Sequence, residues 1–378
     1  MRDKVCLTDI CIRGFKSYSN TIDNQVVLNE DVNVIIGANG VGKSNFISFM
    51  EMIAYIASDG FGDYLAKNGF SKSILHFGSN HTKEMVGELA FRVGEKKDVY
   101  SFTLAPSVGG VLYFVSERLF YERPEKETPF EREFGVSVEK SNLIETSQEN
   151  KTVRNILSLL QSCRVFHFND TSINSGMRSQ SYVNNNKYLM SNAGNIAAFL
   201  YAMQQNNIRY FNRIVEVIKE VFPRFDGFVL SPTVFNDADN YVMLNWKEKG
   251  SEEIFGPYML SDGTLRFIAL VTLLLQPEDT IPSVIILDEP EMGLHPFAIR
   301  IIADIIKQTS RKVQFIIATQ SVTLLNCFDA DCVQVAEYDS RKKTSIIHKI
   351  DSTELDAWLE EYTLGELWEK NVLGGAPL

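Results

Sequence analysis

Hydrophobic patterning divides the chain into a β-rich start, a polar middle and a final third in which helix and strand alternate. Residues 7–12 alternate apolar and polar, residues 20–28 do so more loosely, and 32–36 form a compact β-branched run, so three short strands are predicted. An apolar-rich stretch at 45–57 then reads as a helix. Between residues 84 and 115 the segments GELAFRV, VYSFTLA and GGVLYFV alternate like strands of an antiparallel sheet. Charge gathers in ERLFYERPEKETPFEREFG, an exposed hairpin or loop. Residues 169–195 are so rich in Asn and Ser that a long mobile loop is expected.

Helical spacing returns at 196–203 and 208–222, where Ile208, Phe211, Val215, Ile218 and Phe222 share one stripe and are assigned to the core. Beyond it come a helix from Leu265, a strand at 284–287, a helix near 296–308 and a strand at 313–318. Such alternation predicts a largely parallel sheet covered by helices. Strands at 333–338 and 345–350 follow, then an amphipathic helix beginning near Ser352. Trp358 and Trp368 lie close together in the last segment, either as a docking surface or folded back onto the protein. No heptad array or internal repeat is visible.

Composition narrows the classes. The 378 residues are 45% hydrophobic and 22% charged, ordinary for a globular protein with a large core. The longest apolar run, 267–275, is far below the roughly 20 residues that span a bilayer, and the first residues carry no signal-like block. A cytoplasmic protein without membrane association is expected. Cys6, Cys11, Cys163, Cys327 and Cys332 form no C-x-x-C pair, and no His pairs with a Cys at zinc spacing, so reduced thiols and no metal site built by protein ligands alone are expected. The net charge of −11 argues weakly against a nucleic-acid-coated surface. Arg341-Lys342-Lys343 reads as a solvated hairpin turn.

Chemistry enters at Gly37-Ala38-Asn39-Gly40-Val41-Gly42-Lys43-Ser44, a full G-x-x-x-x-G-K-S between a predicted buried strand and a helix. Its glycines let backbone N–H groups wrap phosphate oxygens. Lys43 is assigned to the β- and γ-phosphates and Ser44 to Mg²⁺. In SVIILDEPEMGLHP, four apolar residues put Asp288 and Glu289 at a strand's carboxyl end. Asp288 is assigned to the Mg²⁺ shell and Glu289 to the attacking water. No N-K-x-D motif is present, so ATP and Mg²⁺ are the expected cofactors.

A further stretch, MLSDGTLRFIAL, starts an apolar helix with polar residues; Ser261 lies 27 positions before Asp288. Two readings stand: a helix cap, or an anion site. In this order of motifs the chain resembles an ABC-class ATPase head, whose L-S-G-G-Q signature precedes the acidic strand similarly. LTDICIRGFKSYSN, DEPEMGLHP and IIATQS are similar to the SMC/RecF/OLD branch, in particular stand-alone OLD-like and RecF-like ATPases of the AAA family. The resemblance implies an α/β P-loop NTPase of ABC-head type, with a mixed-sheet lobe at 1–165, a helical, RecA-like lobe at 166–350 and a helical tail at 351–378. It also implies ATP-driven homodimerisation, with Ser261 and the Gly263 amide facing a nucleotide bound by the second copy. Lys16 is implied as a phosphate or ribose contact, with a surface lysine as the alternative.

Departures from the family pattern are informative. Asp262 and Thr264 replace signature residues, and an acid near phosphate would slow closure. Gln320 stands where many ABC heads carry a switch His, so it is assigned to the γ-phosphate or lytic water, with slow turnover. His295 is a candidate for the dimer seam or for packing, and Asn169 or Asp170 for the Q-loop. Neither an SMC-type coiled coil nor an OLD-type TOPRIM domain is visible, so a separate effector, a nuclease or toxin of prokaryotic anti-phage defence, is the expected partner. A RecF-like recombination or repair ATPase that binds DNA is the alternative, and a transporter nucleotide-binding subunit a more distant one; an ATP-binding scaffold without hydrolysis is opposed by Glu289.

Overall fold

The structure is a computed structural model that describes residues 3–20, 24–122, 128–138, 140–236 and 239–375. Strands β1 (Val5–Arg13), β2 (Gln25–Val27) and β3 (Val32–Ile36) lead into helix α1 (Lys43–Ile56) and two short helices, α2 (Phe61–Asn68) and α3 (Phe70–Ile74). A run of strands follows: β4 (Met85–Val93), β5 (Lys96–Pro106), β6 (Leu112–Glu122), β7 (Phe130–Phe134) and β8 (Ser137–Val138). Helices α4 (Leu143–Glu149) and α5 (Lys151–Gln161) then precede β9 (Cys163–Phe166). The middle holds β10 (Ser181–Tyr182), α6 (Ile196–Asn206), α7 (Ile208–Val221) and β11 (Phe225–Val229). It continues with β12 (Thr233–Asn236), β13 (Asp239–Val242), β14 (Asn245–Glu248) and β15 (Ile254–Phe255). The last third comprises α8 (Asp262–Leu274), β16 (Val284–Asp288), α9 (Pro296–Thr309), β17 (Gln314–Thr319) and α10 (Val322–Leu325). It closes with β18 (Val333–Asp339), β19 (Thr344–Lys349), α11 (Ser352–Leu359) and α12 (Leu364–Glu369).

Two compact units result: residues 1–165, 282–288 and 310–378 in the first, 166–281 and 289–309 in the second. This differs from the three-way division drawn from sequence. Residues 310–350 join the first unit because β17 hydrogen-bonds along β3 and β18 along β3's other edge. The tail joins it too, as Leu367 and Trp368 of α12 are buried there.

Unit one contains two sheets with α1 between them. An antiparallel sheet runs β2-β1-β4-β5-β6-β7, and the second runs β19-β18-β3-β17-β16-β9. In the second, β16, β17, β3 and β18 are parallel neighbours. Its central strands are apolar and buried on both faces, as parallel strands covered by helices must be: every residue of β3 and of β17 is buried. The polar exceptions are paired. Asn33, fully buried in β3, donates to the Phe315 carbonyl and accepts from Gln334.

Helix α1 is apolar around most of its circumference, the pattern of a helix inside a core. Phe46, Phe49, Met50, Met52, Ile53 and Ile56 are each at most 1% exposed. Phe49 stacks on Phe102 of β5, with centroids 6.4 Å apart. Burying each such side chain contributes about 1.5–3 kcal/mol, so the core fixes where the helix begins. The charged stretch supplies the end of β6 and all of β7, which pair antiparallel; residues 123–127 of that stretch lie outside the described residues.

Unit two packs α6 and α7 against α8. On the predicted stripe Phe211, Val215 and Ile218 are buried, with Ile214 beside them, whereas Ile208 is half exposed at the helix start. Phe222 packs on Trp246 at 5.3 Å. The Asn- and Ser-rich segment expected to be a mobile loop uses its polar side chains internally. Asn195 accepts from the Met190 amide and donates to the carbonyls of Asn185 and Tyr188. Such local bonds offer the backbone partners outside regular ladders. In the tail, Asp351 caps α11, which starts at Ser352, by accepting from the Thr353 amide. Trp358 is 47% exposed while Trp368 is buried. No helix among the described residues is long and apolar enough to cross a membrane. All five cysteines are free thiols, Cys6 and Cys163 buried.

Candidate functional site

Three parallel strands end at one edge of the second sheet of unit one. Asp288, the last residue of β16, is level with Ala318 of β17. Thr319, one position on, pairs with Ile36, which leads directly into Gly37. The glycine loop, Asp288 and Gln320 therefore leave the carboxyl ends of adjacent strands, where open α/β sheets bind ligands.

Within the loop Gly37, Gly42 and Lys43 are buried while Asn39, Gly40 and Ser44 are exposed. The Lys43 ammonium donates to the carbonyls of Gly37 at 2.6 Å and Ala38 at 2.9 Å. Gly40 has φ +82°, and a Cβ there would meet nothing. Gly42 is required on two counts. Its φ of +116° disfavours any other residue, and a Cβ would collide with the Ser345 hydroxyl of β19. Behind it, Ser345 Oγ donates to Ser17 Oγ at 2.7 Å, Asn45 Nδ2 donates to the same oxygen, and Tyr18 Oη donates to the Gly42 carbonyl at 3.2 Å. The F-K-S-Y element thus supports the loop from below. Burial pushes the Tyr18 hydroxyl's pKa up, keeping it neutral and a donor.

Helix α1 starts without a side-chain cap and without an acid in its first turn. The N–H groups at a helix start lack intrahelical acceptors and carry partial positive charge, so an uncapped start favours an anion. Lys16 has φ 45°, and its ammonium donates to Ser48 Oγ of α1 at 2.6 Å, one turn beyond Ser44. Burial lowers its pKa.

In unit two, α8 starts quite differently. Ser261 Oγ accepts from the Thr264 amide at 3.1 Å, so the serine caps its own helix. A Cβ on Gly263 would collide with the Gly293 carbonyl, so close packing inside the unit demands that glycine. The Asp262 carboxylate meets Arg178 at 2.8 Å. The Thr171 hydroxyl and then the Arg178 guanidinium hold its pKa below the usual carboxylate value. Arg178, buried, also donates to the carbonyls of Thr171 at 2.8 Å, Pro257 at 2.5 Å and Leu260 at 3.2 Å. Arg266, one turn into α8, donates to the carbonyls of Phe168, Met292 and Asn169. The two arginines thereby tie the Ser261 turn to the segments around 168–171 and 292.

Glu289 has φ 45°, a left-handed conformation that non-glycine residues adopt where surrounding structure imposes it, often at functional sites. His295 is exposed and accepts from the Phe297 amide at 3.2 Å, which makes it a cap of α9. Asp170 accepts from the Ser172 amide and so closes a local turn; Asn169 offers its carbonyl to Arg266. Sequence reasoning missed Arg178, Arg266, Ser17 and Ser345. Ser17 and Arg266 stood inside quoted stretches and Arg178 in the Asn- and Ser-rich segment, but none carried a local signal for its contacts, since their partners are distant in the chain.

The glycine loop on a strand-to-helix turn, the acid at a neighbouring strand end and the two-sheet unit around them define a P-loop NTPase. Solved structures agree on the fold. An SMC head bound to the C-winged helix domain of ScpA aligns with a TM-score of 0.60 at 13% identity, over 94% of this chain and 99% of that one. An Smc head with an extended coiled coil from Pyrococcus furiosus, bound to the C-terminal domain of ScpA, gives 0.53 at 14%, again over 94% and 99%. An Smc head with a coiled coil and joint from Pyrococcus yayanosii gives 0.52 at 12%, with the same coverage. The sequence itself matches, over residues 32–326, the family described as AAA domain, putative AbiEii toxin, Type IV TA system, and the chain belongs to that family. No curated protein shows significant similarity.

Proposed function

We propose that this protein binds Mg-ATP on the Gly37–Ser44 loop, hydrolyses it slowly, and closes as a homodimer in which Ser261 and Gly263 of each copy face the nucleotide of the other. The glycine loop between β3 and α1 carries this reading: α1 opens at Gly42, which has no side chain to cap it, with no acid in the first turn, an arrangement that suits phosphate. The exposed Gly40 backbone and the buried Lys43 fit a triphosphate. Lys43 neutralises phosphate oxygens as its ammonium turns from the loop carbonyls. Ser44 and Asp288 would hold Mg²⁺, which supplies charge neutralisation when bound. Glu289, adjacent to Asp288 in the chain, orients the attacking water and accepts its proton. Gln320 hydrogen-bonds but carries no positive charge, so turnover is slow.

The surface beside Ser261 supports dimerisation. Tyr258 and Met259 immediately before it are 54% and 66% exposed, and Met292 and Phe297 are exposed as well. Aromatic and Met side chains are enriched at protein interfaces. The family's description (AAA domain, putative AbiEii toxin, Type IV TA system) and the similar SMC head bound to a ScpA domain support a switch acting with a separate protein partner in prokaryotic defence.

The test is light scattering of Glu289→Gln protein with and without Mg-ATP, repeated with Ser261→Arg added. ATP is expected to double the mass of the first protein only. An unchanged mass, or a double variant that still responds, would sink the trans arrangement and reduce Ser261 to a helix cap.

A further inference from the structure

Residues 363–375 lie across two parts of unit one that the nucleotide reading needs. At one end, α12 begins with a capping box in which Thr363 and Glu366 satisfy each other's backbone. Its Gly365 amide donates to Asn326 Oδ1 at 2.7 Å, and a Cβ on Gly365 would strike Val322 Cγ1. Val322 opens α10, two residues after Gln320. At the other end, the Gly375 carbonyl accepts from the Ala38 amide of the glycine loop at 2.7 Å. The Gly375 amide in turn donates to Glu337 Oε1 at 2.8 Å. Gly374 and Gly375 have φ of +82° and +69°, and a Cβ on Gly375 would lie 2.7 Å from Val335 Cγ1 and 3.0 Å from the Ala336 carbonyl. The seat admits only glycine.

The Ala38 N–H and the Gly37 C=O belong to one peptide group. Lys43 donates to that C=O, and Gly375 accepts from that N–H. Hydrogen bonds at the two ends of a peptide polarise it and strengthen each other. A phosphate that draws the Lys43 ammonium away from Gly37 therefore weakens the bond between Ala38 and Gly375.

We infer that residues 363–375 form a strap, positioned by Glu337, that loosens when a phosphate engages Lys43 and so links occupancy of the glycine loop to the α10 segment after Gln320. The inference rests on the nucleotide reading of the loop. Linkage makes the effect reciprocal: if ATP loosens the strap, weakening the strap tightens ATP binding.

The experiment is backbone hydrogen exchange of the full chain with and without Mg-ATP, beside a fluorescent-ATP titration, for wild type, Glu337→Ala and Glu337→Gln. In wild type, ATP is expected to speed exchange at 371–375 and at 322–327. Glu337→Ala, which removes the acceptor for Gly375, is expected to lower the ATP dissociation constant by about fivefold, the lower end of typical coupling. Glu337→Gln keeps an acceptor oxygen and is expected to restore wild-type affinity. ATP binding with unchanged or slowed exchange at 371–375 overturns the strap alone, as does a Glu337→Ala protein with wild-type affinity. Absence of ATP binding by wild type overturns the nucleotide reading and the strap together, so the two failures are distinguishable.

Discussion

Two helices of this protein begin at glycine-bearing turns, and they satisfy their first N–H groups in opposite ways. Helix α1 has Gly42 at its cap position, no side-chain cap and no acid in the first turn. Helix α8 has Ser261 folded onto the Thr264 amide and Asp262 in its first turn, with Arg178 beside the carboxylate. The first start leaves the cap position to a glycine, which the proposed function reads as room for phosphate. At the second, any anion would compete with a bond already made and with a neighbouring acid. Under the proposed dimerisation, an anion there would require Ser261 to exchange its intrahelical partner. Arg178 pairs with Asp262, the residue that departs from the signature pattern.

The largest effect that sharpens this contrast is at Lys43. Lys43→Ala removes the cation beside the uncapped helix, and ATP hydrolysis is expected to fall by about a hundredfold or more, as read by phosphate release. Wild-type turnover in this variant would mean that α1 is not where the chemistry occurs. Next comes Arg178→Met. It leaves the carbonyls of Thr171, Pro257 and Leu260 without their charged donor, and a loss of about 3 kcal/mol in urea unfolding is expected. A loss near zero would show that the Ser261 turn holds its shape without the arginine. The smallest effect belongs to Ser261→Ala, where removing the cap is expected to lower stability by about 1 kcal/mol in the same assay. The corresponding comparison at α1 has no side-chain cap to remove, which is the asymmetry these variants probe.

Much of the site was legible because its logic is local. An apolar run, a glycine loop and a helix occupy consecutive residues, so spacing alone predicts a strand-turn-helix with N–H groups turned inward. The same holds for Val284 to Asp288, where four apolar residues before an acid announce a buried strand and its end. Local reading also misjudged some positions. Ile208 continues the stripe of α7 yet lies at the helix start and is half exposed. The segment 169–195 reads as loop by composition, yet Arg178 within it is a buried anchor of the Ser261 turn. Within the chain Ser261 caps its own helix, the first of the two readings its sequence context allows.

By itself the sequence determined the strand-loop-helix at Gly37–Ser44, the acid at the end of β16 and the α/β class, because hydrophobic period and backbone freedom are properties of neighbouring residues. Tertiary structure alone decided which distant groups complete them. It brought Arg178 to Asp262, 84 positions away, set Gly263 against the Gly293 carbonyl, and laid Gly375 on the Ala38 amide. It also assigned residues 310–378 to the unit that holds the glycine loop. Those pairings follow from how sheets and helices pack in three dimensions, and periodicity along the chain carries no record of them.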